Sequence, residues 1–448
     1  MEVEKKEVLE IIKAQGIRTI RVDWCDHYGI NRGKGVPAER FPYVIDDGIH
    51  CALPTFALDL GGNVATGTGI AEEVAYADME AIPDLSTFQV IPWEENTARV
   101  IADLYFEGKP LAVSPRGILK KVVKDYHDKG LRPIVGSELE FYLFEKVNGK
   151  WEYYADKTSM VYTMNPMVDK LNIIGKVKTA MAQMGYSVLY FNHEFFPSQY
   201  EINIIHGDAV EVADITFTFK QVVKEIAFQH GLLATFMGKP RNDGGGSGYH
   251  LHISIYDESK QKNLFEDPKG KYGLSQLALQ SIAGQLKHAP GMSAILASNI
   301  NSYKRYVPGA FAAYYIVWGL DNRTTYIRIP PERGHATRIE NRAPDGSGNP
   351  YLVFAAALAA GLDGINRKLD PGEPFIGDAY RLLEGTDQYP LVPLSFGEAL
   401  EEFKKSEFIR RALGDPFVKM FLAVKGMEWN RFRNYVTDWE FNEYAFYL

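Results

Sequence analysis

Only two cysteines, Cys25 and Cys51, occur in 448 residues. That excludes a disulfide framework and any repeated cysteine spacing for a metal, and it suits a reducing cytoplasm. Basic residues are not in excess: the net charge of −8 argues against a general nucleic-acid binder. No apolar stretch reaches the ~20 residues that a membrane helix needs; the longest small-apolar run, 352–362, is far shorter. The opening MEVEKKEVLE is charged where a signal peptide is apolar. A phosphate-cradling P-loop is also missing, because the glycine-rich stretch 243–248 lacks the Gly-Lys-Ser/Thr ending, and no G-x-G-x-x-G opens a helix. The expectation is a cytoplasmic protein with no membrane and no nucleic acid among its partners, in which any nucleotide is held by some other architecture.

What is present suffices for a large folded protein: 46% hydrophobic and 13% aromatic residues. The length favours two domains. Residues 1–105 open with a short helical pattern (Val8, Leu9, Ile11, Ile12), followed by strand-like stretches at 19–24, 33–36, 89–92 and 98–104 separated by polar and Gly/Thr-rich turns. This predicts a small α+β domain on an antiparallel sheet. Residues 106–448 form a second, larger unit. Pro115 starts an amphipathic helix carrying Ile118, Leu119, Val122, Val123 and Tyr126, as proline near a first turn should. Further helices are predicted at 168–184, 216–230, 273–288, 352–365, 396–413 and 415–438, interleaved with strands.

Four of those strands, at 137–144, 199–205, 249–256 and 336–342, alternate charged and apolar side chains. A strand alternates faces with period two. Glu138 and Glu140 therefore share a face, with Leu139 and Phe141 behind them; so do His250, His252 and Ser254, and so do Arg338, Glu340 and Arg342. Glu201, with Glu194 just ahead of its strand, raises the carboxylate count to five. A solvent-facing edge strand is the plainer reading of Glu138-x-Glu140, but Phe141, Tyr142, Leu143 and Phe144 leave little of that strand suited to water. Carboxylates withdrawn from water must be paired or bind a cation. Brought together, these would repel one another unless divalent ions lay between them. The Gly-rich loop ahead of His250 allows close backbone approach to a ligand. Arg305, Arg323, Arg328, Arg338 and Arg342 crowd into fewer than forty residues, and guanidinium forks match carboxylates and phosphates.

The stretches GSELEFYLF (136–144), NHEFFPSQYEIN (192–203), GSGYHLHIS (246–254), NSYKRYVPG (301–309), DNRTTYIRIP (321–330) and RIENRAPDGSGNPYL (338–352) together resemble the glutamine synthetase family, over roughly residues 15–448. The resemblance implies a β-grasp-like N-terminal domain and an α+β catalytic domain whose antiparallel sheet, an open barrel, is flanked by helices. It also implies a homo-oligomer of hexameric rings stacked as a dodecamer, with sites between neighbouring subunits. Two Mg²⁺ or Mn²⁺ positions follow by resemblance: Glu140, Glu194 and Glu201 for the first, which helps hold L-glutamate, and Glu138, His250 and Glu340 for the second, beside the ATP phosphates. Arg305, Arg342, Gly246, Glu140 and His250 fall where the family binds glutamate. Arg323 falls where it stabilises the transferring phosphate, with Arg342 and Glu340 alongside, and His252, Ser254, Arg328 and Arg338 align with nucleotide contacts.

The chain also departs from that pattern. Ammonia-using members carry Pro-Gly-x-Glu-Ala-Pro after the NSYKR motif; here Phe311 stands at the glutamate position. Their N-terminal Asp-Gly-Ser-Ser segment aligns with Ala52-Leu53-Pro54-Thr55. Leu189 replaces a nucleotide-side glutamate, and the Asn-Leu-Tyr-Asp-Leu adenylylation segment has no match. Both anions expected around ammonium are missing. Losing one charged hydrogen bond costs on the order of 1.5–3 kcal/mol, and an apolar substituent recovers about 0.8 kcal/mol per buried methylene. The leading reading is an ATP-dependent glutamate–amine ligase that takes an organic amine through a γ-glutamyl phosphate. A glutamine synthetase using ammonia, or a catalytically inactive oligomer of the same fold, are the alternatives.

Overall fold

In the computed structural model, which describes residues 2–155, 161–260, 262–307, 309–310, 312–382 and 389–448, the first helix, α1 (Glu2–Ala14), buries Val8 and Ile12 one turn apart. The chain then builds a seven-stranded sheet from β1 (Thr19–Cys25), β2 (Asn31–Pro37), β3 (Ile49–Ala52), β4 (Asp78–Pro83), β5 (Gln89–Val90), β6 (Thr97–Phe106) and β7 (Lys109–Pro110), with α2 (Phe41–Asp47) between β2 and β3. Its main path runs β2-β1-β6-β4-β3. Sequence periodicity anticipates an antiparallel sheet, but β1 and β6 pair in parallel. The long chain between them allows the return crossing that parallel pairing requires.

A second sheet of ten strands carries the candidate residues. It comprises β8 (Leu131–Val147), β9 (Lys150–Tyr153), β10 (Val188–His193), β11 (Gln199–Asp208), β12 (Leu232–Thr235), β13 (Tyr249–Asp257), β14 (Lys262–Asn263), β15 (Trp318–Leu320), β16 (Ile327–Ile329) and β17 (Ile339–Asn341), in the main order β10-β11-β8-β13-β17-β16-β15. The long strand β8 lies at its centre, antiparallel to both β11 and β13. Leu139, Phe141, Ile202, Leu251 and Ile253 are buried on the apolar side. Helix α5 (Ala209–Gln229) packs on β8, β11 and β12, and α3 (Pro115–His127) on β8.

Local chemistry sets the helix ends. Ser114 caps α3 by accepting from the Gly117 amide at 3.3 Å, with Pro115 in the first turn. The expected helix from 168 begins only at Ile173, as α4 (Ile173–Gln183), because the Asp169 carboxylate accepts from the amides of Ile173 and Ile174 at 2.8 Å each. After α6 (Gln276–Leu296) and α7 (Pro350–Arg367), the segment 396–413 divides into α8 (Phe396–Lys405) and α9 (Glu407–Leu413). Ser406 is extended there, and its hydroxyl caps the second helix. Likewise α10 (Asp415–Arg433) stops short of a separate α11 (Asp438–Tyr444), which opens on a Thr437–Glu440 capping box. Of the strand expected at 336–342 only Ile339–Asn341 forms, since Gly334–Ala336 makes a 3₁₀ turn. Among the described residues no helix is long and apolar enough to cross a membrane.

Candidate active site

Strand register builds the site. Across β11, β8 and β13, Glu201 faces Glu140 and His250 faces Glu138, while His252 faces Glu340 on β17 and Glu340 faces Arg328 on β16. Every one of these charged side chains comes from the polar positions of its strand, as the period-two alternation requires. Glu194 follows β10 directly, and its backbone amide donates to the Gln199 carbonyl at 2.8 Å.

Glu138, His250 and Glu340 offer ligand atoms within 4.8 Å of one another. His250 Nδ1 lies 2.7 Å from one Glu138 oxygen and His252 Nε2 lies 3.2 Å from the other. Arg338 donates to His252 Nδ1 at 3.3 Å, so that nitrogen is an acceptor and the ring proton sits on Nε2, towards Glu138. Arg328 donates to Glu340 at 2.6 Å, and Arg342 donates to its other oxygen. These partners decide ionisation. Burial raises both carboxyls, but hydrogen bonds from His250 and His252 hold Glu138 well below the usual range. Burial of Glu340 is likewise outweighed by Arg342, His252 and His250, bringing it to about 2. Burial, then Arg342, lowers His250 and keeps its ring neutral.

Glu140, Glu194 and Glu201 share the same face without such guanidinium contacts, and their oxygens do not close into a group as tight as the first trio. Burial, then the charge of Glu194, lifts Glu140 to about 7. Burial followed by Glu138, Glu140 and Glu194 pushes Glu201 well above its ordinary value, and burial raises Glu194 as well. Glu140 is held by Gln199 Nε2 at 2.7 Å and the Gly248 amide at 2.8 Å; Glu194 accepts from Asn192 Nδ2 at 2.7 Å. Half-buried carboxylates stacked together, beside two more carboxylates and an imidazole, form a hard donor set that fits divalent cations such as Mg²⁺ or Mn²⁺. Gly248 keeps the space between the trios open, since a Cβ there would lie 2.8 Å from His250 Nε2 and 3.1 Å from Glu140 Oε1.

The remaining candidates surround this face. Arg305 is buried and donates to the Ala343 carbonyl at 3.3 Å, and its buried Nε has no partner among the described residues. Gly246 abuts it, and a Cβ on Gly246 would sit 2.7 Å from Arg305 Cγ. Arg342 Nε donates to the Arg323 carbonyl at 3.2 Å, while the Arg323 side chain is exposed. Ser254 is buried and donates to the Thr337 carbonyl at 2.9 Å. Phe311 lies outside the described residues. Leu53, in the segment that aligns with the family's Asp-Gly-Ser-Ser, is buried in the core, whereas Ala52 beside it is exposed. A cavity of about 1360 Å³, lined by Lys220, Phe236 and Met237 among others, contains none of the candidates among the described residues.

Several supporting residues escaped the sequence reading. Gln199 and Asn192 each stand two positions before a cluster carboxylate, so period two alone could have placed them on its face. Asp321, which binds Arg328 at 2.6 Å, carries no periodic signal.

Comparison with known proteins adds three findings. The family described as glutamine synthetase, catalytic domain, matches residues 112–444. A glutamine synthetase from Methanosarcina mazei is 36% identical, with 98% of this chain and 97% of that protein covered. Two solved structures, described as GmaS without ligand and as a GmaS/ADP complex, superpose with TM-scores of 0.87 and 0.88 at 32% and 31% identity; each covers 98% of this chain and 99% of its own.

Proposed function

The chain belongs to the glutamine synthetase family, and from that premise we propose that it is an ATP-dependent ligase joining the γ-carboxylate of L-glutamate to an organic amine. The observation that carries the reading is the convergence of five carboxylates and His250 on one sheet face beside Arg305, Arg323, Arg328 and Arg342. The likeness to two GmaS structures over nearly the whole chain, one of them with ADP, supports it further.

Glu140, Glu194 and Glu201 would hold one divalent ion, and Glu138, His250 and Glu340 the other. Such ions, when bound, neutralise phosphate charge and anchor oxyanions. The chain's own groups do the rest. Arg305, Arg342 and the Gly246 backbone bind glutamate, and His252, Ser254, Arg328 and Arg338 line the nucleotide side. A γ-carboxylate oxygen of glutamate attacks the terminal phosphorus of ATP, and ADP leaves with the electrons of the broken P–O bond. The exposed Arg323 guanidinium faces the charge that spreads over the transferring phosphoryl oxygens. The neutral amine nitrogen then attacks the γ-carbonyl carbon, the acyl C–O bond breaks, and the departing inorganic phosphate takes the electron pair of that bond and the proton that the nitrogen gives up. Phe311 and Ala52 stand where ammonia-using members place anions, which favours an amine with an apolar substituent over ammonium. The same reading includes assembly into hexameric rings, paired or single.

A second reading, ammonia as the nitrogen donor, is favoured by the glutamine synthetase name of the 36%-identical relative. Glutamate-dependent ADP release with Mg²⁺ or Mn²⁺, measured against ammonium and a panel of alkyl-, aryl- and hydroxyalkylamines, separates the two. The expected result is an organic amine exceeding ammonium in kcat/KM by roughly ten-fold or more, the worth of one lost charged contact. Ammonium giving the highest kcat/KM would establish the second reading instead.

A further inference from the structure

Gln199 opens β11 opposite Tyr142 of β8, and both side chains are buried. The two amide hydrogens of Gln199 have separate acceptors: Glu140 Oε2 at 2.7 Å and the Gly246 carbonyl at 2.9 Å. Because both are acceptors, the NH₂ must point that way, and Oε1 is left to meet the Tyr142 hydroxyl at 3.2 Å. That hydroxyl also receives the Gly245 amide at 3.0 Å and lies 3.2 Å from the Gly245 carbonyl. The Gln199 backbone carbonyl meanwhile accepts from the Glu194 amide. One buried side chain and its own backbone thus touch Glu140, Glu194 and the glycine loop that abuts Arg305. The loop is seated tightly there, since a Cβ on Gly245 would run into the Phe196 ring.

We propose that Gln199, oriented by Tyr142, is a positioning residue that links the Gly246 backbone to the Glu140–Glu194 carboxylates, so that glutamate and a divalent cation tighten each other's binding. This rests on the functional reading above for the identity of the two ligands. The Gln199 side chain acts through its neighbours, since it holds the carboxylate in one rotamer and the loop carbonyl in one place. Ordering by either ligand spares the other that cost, and such a coupling is reciprocal by necessity.

Mn²⁺ binding to the nucleotide-free protein, followed by electron paramagnetic resonance with and without glutamate, tests it in the unaltered chain, in Gln199→Met (same length, no donors) and in Tyr142→Phe. In the unaltered chain glutamate is expected to tighten Mn²⁺ binding. Gln199→Met should weaken Mn²⁺ roughly ten- to a hundredfold, the usual effect of removing a partner behind a metal ligand. In that variant glutamate should no longer alter Mn²⁺ affinity, and KM for glutamate should rise while the circular dichroism of the metal-free protein is unchanged. Tyr142→Phe should move all three readouts the same way by less, and it carries the test alone if Gln199→Met does not fold. Folded variants with unaltered Mn²⁺ affinity and an intact glutamate effect would overturn the link. So would an unaltered chain that turns over glutamate and ATP yet shows no mutual tightening. An unaltered chain that releases no ADP with glutamate and any amine removes the functional reading first, and the link with it.

Discussion

Glu140 on β8 and Glu340 on β17 are the same residue type on one sheet, with only β13 between their strands, yet they ionise at opposite ends of the carboxyl range. Arg342 and the two histidines offset burial at Glu340, which sits at about 2. Glu140 meets burial and the charge of Glu194, and rises to about 7. A carboxyl with a higher pKa folded than unfolded contributes stability that is full below the unfolded value and is lost as pH climbs through the folded one. In metal-free protein Glu140 therefore withdraws stability between the ordinary carboxyl range and about pH 7. A divalent ion bound by the deprotonated cluster returns it, and its affinity grows as protons leave. The rise in thermal midpoint produced by millimolar Mg²⁺ should be small at about pH 6 and clearly larger at about pH 8. Differential scanning calorimetry reads this directly, and a Mg²⁺ effect that shrinks over that interval contradicts the assignment of Glu140 as a ligand.

Helices α6 and α7 show how composition becomes packing. The Ala-rich run of α7 is buried over most of its length, and the two helices meet through glycine. A Cβ on Gly284 would strike the Ala360 carbonyl oxygen, and one on Gly364 would strike the Gln280 carbonyl. Backbone can approach this closely only where no side chain intervenes. Asn349 caps α7 and also donates to the Asp26 carbonyl at 2.7 Å, which ties the helix to the N-terminal sheet. Gly364→Ala, favourable on helix propensity alone, should instead destabilise by about 1–3 kcal/mol through overpacking. A thermal midpoint equal to or above that of the unaltered chain would show that the helices separate without cost.

Across the whole molecule one continuous apolar core runs from Val8 to Val424 and includes residues of both sheets. Arg116 reinforces the join by binding Asp84 at 2.8 Å, Asp103 at 2.7 Å and Asp214 at 2.8 Å. The far C-terminus stands apart from this core: no side chain of α11 is buried, and Trp439, Phe441, Phe446 and Tyr447 are 63–87% exposed. An apolar strip of that kind marks a contact with another molecule, here taken to be another subunit of the proposed assembly. Deletion of residues 438–448 should leave the circular dichroism of the subunit unchanged and lower the assembly mass measured by light scattering. An unchanged mass would place the strip outside the subunit contacts.

The alternation of Glu138-x-Glu140, His250-x-His252 and Glu340-x-Arg342 was legible in the chain alone, because a strand's period of two sorts its residues onto faces whatever surrounds it. Helix α3 was legible for the same kind of reason, its Pro115 and apolar spacing being local signals. The segmental motifs likewise identified the family before any pairing was known. Strands β3 and β4 were not read, since each is short and takes its conformation from its partners. The break at Ser406 was hidden inside an unbroken helical periodicity. Only tertiary register could decide that Glu201 stands opposite Glu140, that two guanidinium groups reach Glu340 and, among the described residues, none touches Glu140 or Glu201, and that Leu53 turns into the core. Sequence spacing acts within one strand, whereas ionisation and metal affinity depend on charges that other strands bring within a few ångströms.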